Sequence, residues 1–434
     1  MSCVSLLRGF ACAAVVSNLM LGLVLLTGCG VTYTGGAAAA STGTSGAVGT
    51  LSSVVFLGDS LTAGSQNDSL FDTGQAHGYP ALLATQADFA LVQPLIAAPG
   101  IPAEEQLGSS VFPYGITRLP GTSAGRENTT VQATNLAVPG VTAGGLIALS
   151  PQASGGNAYV NLVLGYPAGN NNTQLTQAVA LKPTTVFLCV GNNDLVIAET
   201  AGDPSELTPL ATFTSEFAQI MTALKATGAK LVVGNVLDFT LAPILTPAPV
   251  LSAEVAGVTG MPTGTIEADL GLGDGDFVTP SGLSAVEGEL AAIKGGTAPA
   301  ALSAGQVLTA AGAATMEQML ESYNQVIAEQ VSAAGGTLVD LYSYVNTLKE
   351  GLPVNGATLT LGYLGGFFSV DGLHPTNTGY ALIANQFIAA MNAGLKLSIA
   401  TVNVSAIAAS DPLFGPNLPA VARSRLRPVG YAVR

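Results

Sequence analysis

Four short runs along this chain are apolar at consecutive positions instead of alternating, as strands covered on both faces should be. They span residues 53–57, 185–190, 230–236 and 337–341. Between them the apolar period changes to that of a helix. Met316, Met319, Leu320, Tyr323, Ile327 and Val331 follow a 3.6-residue period, and Gly335-Gly336 ends that stripe. Residues 210–226 predict a second helix, closed by Gly228. A third begins after Pro375, with Tyr380, Ile383, Phe387, Ile388 and Met391 on one face. Strand and helix in alternation predict an α/β sandwich around a mostly parallel sheet. Residues 88–134 and 239–315 break the pattern, being rich in Pro, Gly, Ala and Thr with weak periodicity. Structureless loops of that length are uncommon inside compact domains, so both are expected to pack as insertions over one face.

The N-terminus follows a different logic. One positive charge, Arg8, precedes an apolar run from Phe10 to Leu26, which stops at Leu26-Thr27-Gly28-Cys29. A basic start, an apolar stretch and small residues at the exit describe an export signal. The terminal tetrad resembles a bacterial lipobox, so residues 1–28 are expected to be a lipoprotein signal peptide and Cys29 the lipid-modified residue. An ordinary signal with an incidental Cys, or an uncleaved anchor, are the other readings. Residues 29–50 are nearly all Gly, Ala, Ser and Thr, a composition with little to bury, and predict a flexible tether. The expected location is the bacterial cell envelope. Gly30, rather than Asp, after Cys29 favours the outer membrane in a cell that has one.

Composition narrows the function classes. The 434 residues include 13 basic and 27 acidic ones, a formal net charge of −14, which argues against a nucleic-acid partner. Beyond residue 29 no apolar run approaches the roughly 20 residues that span a bilayer. Four cysteines and two histidines are too few for a His/Cys metal cluster, and no metal or cofactor is expected. Loss of the signal would leave Cys189 as the single free thiol, inside the apolar run 186–190, where a buried, inert role fits best. Residues 396–434 form a C-terminal extension whose tail carries Arg423, Arg425, Arg427 and Arg434. A solvated terminus explains that tail; contact with anionic lipid or with the acidic body is the weaker alternative.

The candidate chemistry lies where strands end. Residues 54–57 run directly into Gly58-Asp59-Ser60, which places a serine at the carboxyl edge of the sheet, where open α/β sheets hold their sites. A serine hydroxyl needs a base within hydrogen-bond reach and a third group to orient that base. His77 and His374 are the available histidines. His374 sits in Asp371-Gly372-Leu373-His374-Pro375, where Asp371 can fold back across a Gly to accept from Nδ1. That leaves Nε2 to take the serine proton.

Four segments, Gly58-Asp59-Ser60-Leu61, Gly140 within Asn135-Leu136-Ala137-Val138-Pro139-Gly140, Gly191-Asn192-Asn193-Asp194 and Asp371-Gly372-Leu373-His374, resemble the blocks of the GDSL, or SGNH, hydrolases in the family's order. The resemblance covers residues 51–395. It implies a flavodoxin-like three-layer α/β/α sandwich and a serine esterase or lipase mechanism. By position it makes Ser60 the nucleophile, His374 the base and Asp371 its orienting acid. The oxyanion hole would combine the N–H groups of Ser60 and Gly140 with the Asn193 amide. Asn192 occupies a variable position of its block and receives no role. Asp59 and Asp194 are expected to fix their own loops. The ester substrate stays open among acyl lipid, thioester, short-chain ester and acetylated polysaccharide, with the apolar 239–315 segment mildly favouring an acyl site under a cap. A non-catalytic envelope protein using the fold as a binding module is the competing class.

Rival sites have plainer explanations. Gly121-Thr122-Ser123-Ala124-Gly125 matches a nucleophile elbow in letters, but a strand should precede it and a helix follow it, and neither is expected there. Asp238 and Asp340 end predicted strands and could compete with Asp371; capping accounts for both. Asp269, Asp274 and Asp276 lack the spacing and closing Glu of a calcium loop. His77 is read as a loop or surface histidine.

Overall fold

The computed structural model describes residues 49–418. The signal-like segment with Cys3, Cys12 and Cys29, most of the tether and the Arg-rich tail lie outside them. Four parallel strands pair side by side in chain order: β1 (Val54–Gly58), β2 (Thr185–Cys189), β3 (Lys230–Gly234) and β4 (Thr337–Val339). Residues 134–138 run parallel along the free edge of β1. Phe56 N–H donates to Thr134 O (2.9 Å), and the N–H groups of Leu136 and Val138 donate to Phe56 O and Gly58 O (2.9 and 3.0 Å). Counting that segment, the strands lie in the order 2-1-3-4-5. The chain therefore builds first to one side of β1 and then to the other, and a crevice opens between the carboxyl ends of β1 and β2.

Helices cover both faces, which is why every residue of β1 and β2 is buried and why their sequences are apolar throughout. On one side, α1 (Leu210–Ala226) packs against α2 (Ala310–Ala334), with Phe213 stacked on Tyr323 at 4.2 Å. On the other, α3 (Asn377–Gly394) packs on β3, β4 and the helix Tyr79–Ala87, with Phe387 stacked on Tyr79 at 4.5 Å. Phe56 and Phe187 face each other in register across β1 and β2, their rings 4.6 Å apart. The architecture is the flavodoxin-like α/β/α sandwich expected from the sequence.

The two predicted stripes, in α2 and α3, bury as read except at Met319, and the predicted helix α1 buries a stripe of its own. Phe213, Phe217, Ile220, Met221 and Leu224 face the core from α1, Met316, Leu320, Tyr323, Ile327 and Val331 from α2, and Tyr380, Ile383, Phe387, Ile388 and Met391 from α3. Met319 is half-buried. The Thr309 side chain caps α2 by accepting from Gly312 N–H at 3.1 Å, and Gly335 ends it in the left-handed conformation. That start falls inside the stretch read as irregular, because residues 310–315 carry no large apolar side chain to mark a period.

The 239–315 stretch is itself more ordered than its weak periodicity suggests. Helices Ala248–Thr259, Thr263–Leu270 and Pro280–Lys294 surround a second apolar cluster that includes Leu251, Val255, Ile266 and Leu290. A three-stranded antiparallel clip, Thr246–Pro247, Phe277–Val278 and Val307–Leu308, ties its ends together. Phe112, from the 88–134 stretch, is buried in the same cluster. Among the described residues no helix is long and apolar enough to cross a membrane.

The aromatic stack at the centre of the sheet should dominate stability. Phe187→Ala empties a fully buried site in contact with both strands and helices. A loss of about 3–5 kcal/mol is expected, read as a lowered urea midpoint with unchanged slope.

Candidate active site

β1 delivers its last residue, Gly58, against the neighbouring strand. A Cβ there would lie 2.2 Å from Cys189 O and 2.5 Å from Thr62 Oγ1, so only glycine fits. The Gln174 side-chain amide grips both backbone groups of Gly58 at 3.0 Å. Asp59 then caps the short helix Ser60–Ala63 by accepting from Leu61 N–H at 3.0 Å, which sets Ser60 at the first helical position.

After β2, Asn193 and Asp194 open the helix Asn193–Ala201 and reach across to the loop containing Gly140. Asn193 Nδ2 donates to Val141 O at 3.0 Å, and Asp194 Oδ2 accepts from Ala143 N–H at 2.9 Å. An amide nitrogen carries two hydrogens; this contact uses one. Gly140 has φ 77° and is exposed, a left-handed backbone that favours glycine. Neither the Ser60 nor the Gly140 N–H donates to another described group.

Asp371 lies in the loop before α3 and faces His374, with Nδ1 and Oδ2 2.7 Å apart. Its carboxylate collects further donors: Leu373 and His374 N–H on Oδ1 (both 2.8 Å), Ser369 Oγ on Oδ1 (3.0 Å) and Asp68 N–H on Oδ2 (2.6 Å). Burial alone would raise the Asp371 pKa, but the His374 charge and these donors prevail and hold it down at about 2. Burial pushes His374 the other way, toward the neutral form. The charge and hydrogen bond of Asp371, aided by Asp68 and Asp59, outweigh it, so the imidazole sits above its ordinary 6.5. His374 Nε2 is buried and has no hydrogen-bond partner among the described residues. Ser60, Asn193 and His374 all line one small cavity, without a direct bond from Ser60 to Nε2.

Asn192, given no role from the sequence, joins three strand ends. Its Nδ2 donates to Asp59 Oδ2 at 2.8 Å, and its Oδ1 accepts from Leu237 N–H at 3.4 Å, just beyond β3. Asp59 therefore fixes more than its own loop. It is fully buried, and that burial lifts its pKa to about 7 against the pull of Asn192, Leu61 and His374. Asp194 likewise ties a neighbouring loop, its pKa raised by burial to about 6. A buried Asp beside a small polar residue after a strand was the available signal; which loop it would bridge depends on tertiary packing.

The rivals are occupied elsewhere. Asp238 accepts from Thr240 N–H at 3.1 Å, and Asp340 accepts from Ser343 N–H at 3.0 Å and Asn235 Nδ2 at 2.8 Å. Ser123 donates to Ala97 O at 2.5 Å and accepts from Gly125 N–H, in a turn that follows only the two-residue strand Thr117–Arg118 and leads into no helix. His77 ends the helix Asp72–His77 with Nδ1 2.8 Å from Thr73 O. Asp276 accepts from Gly273 N–H and from Ala310 N–H at the start of α2. Cys189 is buried, and burial raises its thiol pKa.

The acid loop is also braced from outside. Arg118 pairs with Asp68 and, at 3.2 Å, with Glu105. Tyr363 donates to Val370 O at 2.8 Å and packs at a tilt against Tyr114, whose hydroxyl bonds Glu254 of the 239–315 segment.

The model of the GDSL-like lipase/acylhydrolase family matches residues 54–387. The fold is similar to LAE5, an alpha/beta hydrolase from the metagenome of Lake Arreo, Spain, with 14% identity over 79% of this chain and 95% of that one, TM-score 0.36. It is similar to a variant of Axe2, an acetyl xylan esterase from Geobacillus stearothermophilus, with 12% identity over 81% and 100%, TM-score 0.36. It is also similar to a lipase/acylhydrolase from Enterococcus faecalis, with 12% identity over 81% and 100%, TM-score 0.34. Among curated proteins, none matches.

With two histidines in the chain, the imidazole signals can be followed individually by NMR. His374 is expected to titrate above 6.5. In Asp371→Asn, where burial acts without the Asp371 charge and hydrogen bond, its midpoint should fall.

Proposed function

Given that this chain belongs to the GDSL-like lipase/acylhydrolase family, and so is a hydrolase of ester bonds, we propose that it cleaves carboxylic esters through an acyl-enzyme on Ser60. The observation that carries this reading is the single cavity shared by Ser60, His374 and Asn193, with Asp371 bonded to the far side of the imidazole.

Each group then has a physical task. Asp371, ionised far below neutrality, selects the tautomer with the proton on Nδ1 and leaves Nε2 as acceptor. His374 takes the proton of Ser60 as Oγ attacks the carbonyl, and the carbonyl electrons move to oxygen. The N–H groups of Ser60 and Gly140 and the second amide hydrogen of Asn193 stabilise that oxyanion. His374 next protonates the leaving alcohol, then removes a proton from water as it attacks the acyl-enzyme, which regenerates Ser60 and releases the acid. Because the base must be neutral, protonation of His374 abolishes the reaction.

We further propose that the enzyme is held at a membrane surface. Leu26-Thr27-Gly28-Cys29 supports export and lipid attachment at Cys29, which would hold the catalytic body to the cell envelope through the 29–50 tether.

A fluorophosphonate should add covalently to Ser60 and to no other residue, located by mass spectrometry of the full chain. Ser60→Ala should lose the adduct and about 10⁴-fold or more in kcat. An adduct on Ser123 would overturn the assignment. For the anchor, cells expressing the chain with a labelled fatty acid should yield labelled protein in the membrane fraction. Cys29→Ser should remove both the label and the fractionation.

A further inference from the structure

Asp371 is held by more than its own loop. The N–H groups of Leu373 and His374 lie in the same turn as the carboxylate and move with it. Two further donors trace back to the segment that follows the nucleophile, to the adjacent residues Asn67 and Asp68. Asp68 N–H donates directly to Asp371 Oδ2 at 2.6 Å. Asn67 N–H donates to Ser369 Oγ at 3.0 Å, and Ser369 Oγ donates to Asp371 Oδ1 at 3.0 Å. A backbone N–H can only donate, so the Ser369 oxygen accepts there and its single hydrogen is left for the carboxylate. One turn thus grips both oxygens of the acid, one directly and one through a hydroxyl.

The backbone of that turn is unusual in a way that serves the grip. Successive N–H groups converge on one anion only in special turn conformations. Asn67 and Asp68 have φ 54° and 48°, in the left-handed region that Asn and Asp tolerate better than most side chains. Gln66 and Ser69 close the turn with two backbone bonds, each 3.0 Å. The turn is joined to the nucleophile as well, because Ser65 N–H donates to Ser60 O at 3.0 Å. On the other side of His374, Gln66 Nε2 donates to Pro375 O at 3.1 Å, and Tyr380 donates its hydroxyl to Ser65 O at 2.6 Å. The segment carrying the nucleophile therefore clasps the loop of acid and base before and after the imidazole. The 88–134 stretch steadies the clasp from outside: Glu104 accepts from Asn67 Nδ2 at 3.3 Å, and Arg118 pairs with Asp68.

We propose that Ser369, Asn67 and Asp68 are positioning residues for the reaction: they stop the Asp371 carboxylate from rotating and so aim His374 Nε2 at Ser60. The proposal rests on the acyl-enzyme reading above. A carboxylate held by its own loop alone can still turn about its last bond, whereas donors to both oxygens from a separate segment fix it. Proton transfer demands a base within about 2.6–3.2 Å of the hydroxyl, so a small misplacement of the imidazole costs rate. Ser369 is fully buried and does not line the cavity of Ser60, so it acts through Asp371 and not on a substrate. None of the described residues lining that cavity comes from 88–134, yet this insertion supports the turn that sets the acid.

The test combines the rate at which a fluorophosphonate labels Ser60 in the full-length protein with the proton NMR signal of His374 Nδ1–H. In Ser369→Ala the maximal labelling rate should fall at least 10-fold. The probe concentration giving half that rate should change less than 2-fold, because Ser369 does not meet the probe. Loss of the grip should also lengthen the bond from Nδ1 to Asp371 and move its proton upfield. Ser369→Cys, a weaker donor of similar size, should lie between wild type and Ser369→Ala in both readings. It also serves if Ser369→Ala, which strands the Asn67 N–H in the interior, does not fold. Labelling at the wild-type rate in either folded variant would overturn the proposal. Slower labelling with the Nδ1 signal unmoved would overturn it too, since the hydroxyl would then act on packing alone. A wild-type protein that takes no label at Ser60 would instead remove the acyl-enzyme reading, and the proposal with it.

Discussion

The hydrogen bond from Asn192 to Asp59 ties the loop after β2 to the loop after β1, and the two chemical halves of the site depend on it. The nucleophile lies on one of those loops and the amide donor on the other. Parallel strands bring their carboxyl ends to one edge of a sheet, but they do not fix the loops beyond that edge relative to one another. Here a buried carboxyl and an amide do so, with Leu237 N–H as the third point of attachment. Such a bond is worth more than its net contribution to stability. Removing one partner leaves a polar atom stranded in the core, at a cost of about 1–3 kcal/mol.

The acidic character of the chain takes on local meaning around His374. Asp371 bonds it directly, and the charges of Asp68 and Asp59 also favour its protonated form. Burial opposes them. The balance leaves an imidazole of raised basicity facing a cavity in which it has no partner. Asp371 escapes the usual penalty of burial by collecting donors from four residues. The stability it contributes is fully present above the ordinary carboxylate pKa of 3.8 and is lost only as pH falls through about 2. For His374 the sign reverses: its contribution is complete below 6.5 and disappears as pH rises through its elevated value.

Much of this was legible in the residues. Continuous apolar runs announced the buried strands, and the two helical stripes read from the sequence met the core at every marked position but Met319. Strand ends were less readable, because apolar sequence continues where sheet pairing stops. Val236 is apolar and buried, yet its N–H and C=O pair with the side chain of Asn324 and not with a neighbouring strand. The edge segment 134–138 carries Asn135, whose amide bonds Thr62 O and Gln93 Oε1, so it lacks the run of apolar side chains that signals a strand. The helices within 239–315 were hidden for a related reason. Their large apolar residues are spaced out by Ala, Gly, Ser and Glu, and Thr263–Leu270 buries only Ile266 and Leu270. The pairing of Asp371 with His374 could be anticipated because both lie in one tight loop. The partners of Asn192 could not, since they lie beyond the ends of two other strands.

Phe112 has a consequence that reaches well beyond its own loop. It belongs to one inserted stretch but is buried in the apolar cluster of another more than a hundred residues away, while its neighbour Tyr114 leans on Tyr363 next to the acid loop. Two segments that share a core cannot open separately: withdrawing Phe112 uncovers the cluster, and loosening the cluster frees Phe112. Opening of that shared cluster would also loosen the brace of the Asp371 loop. In lineages related to this chain, the two insertions should accordingly be gained, lost or reshaped as a pair.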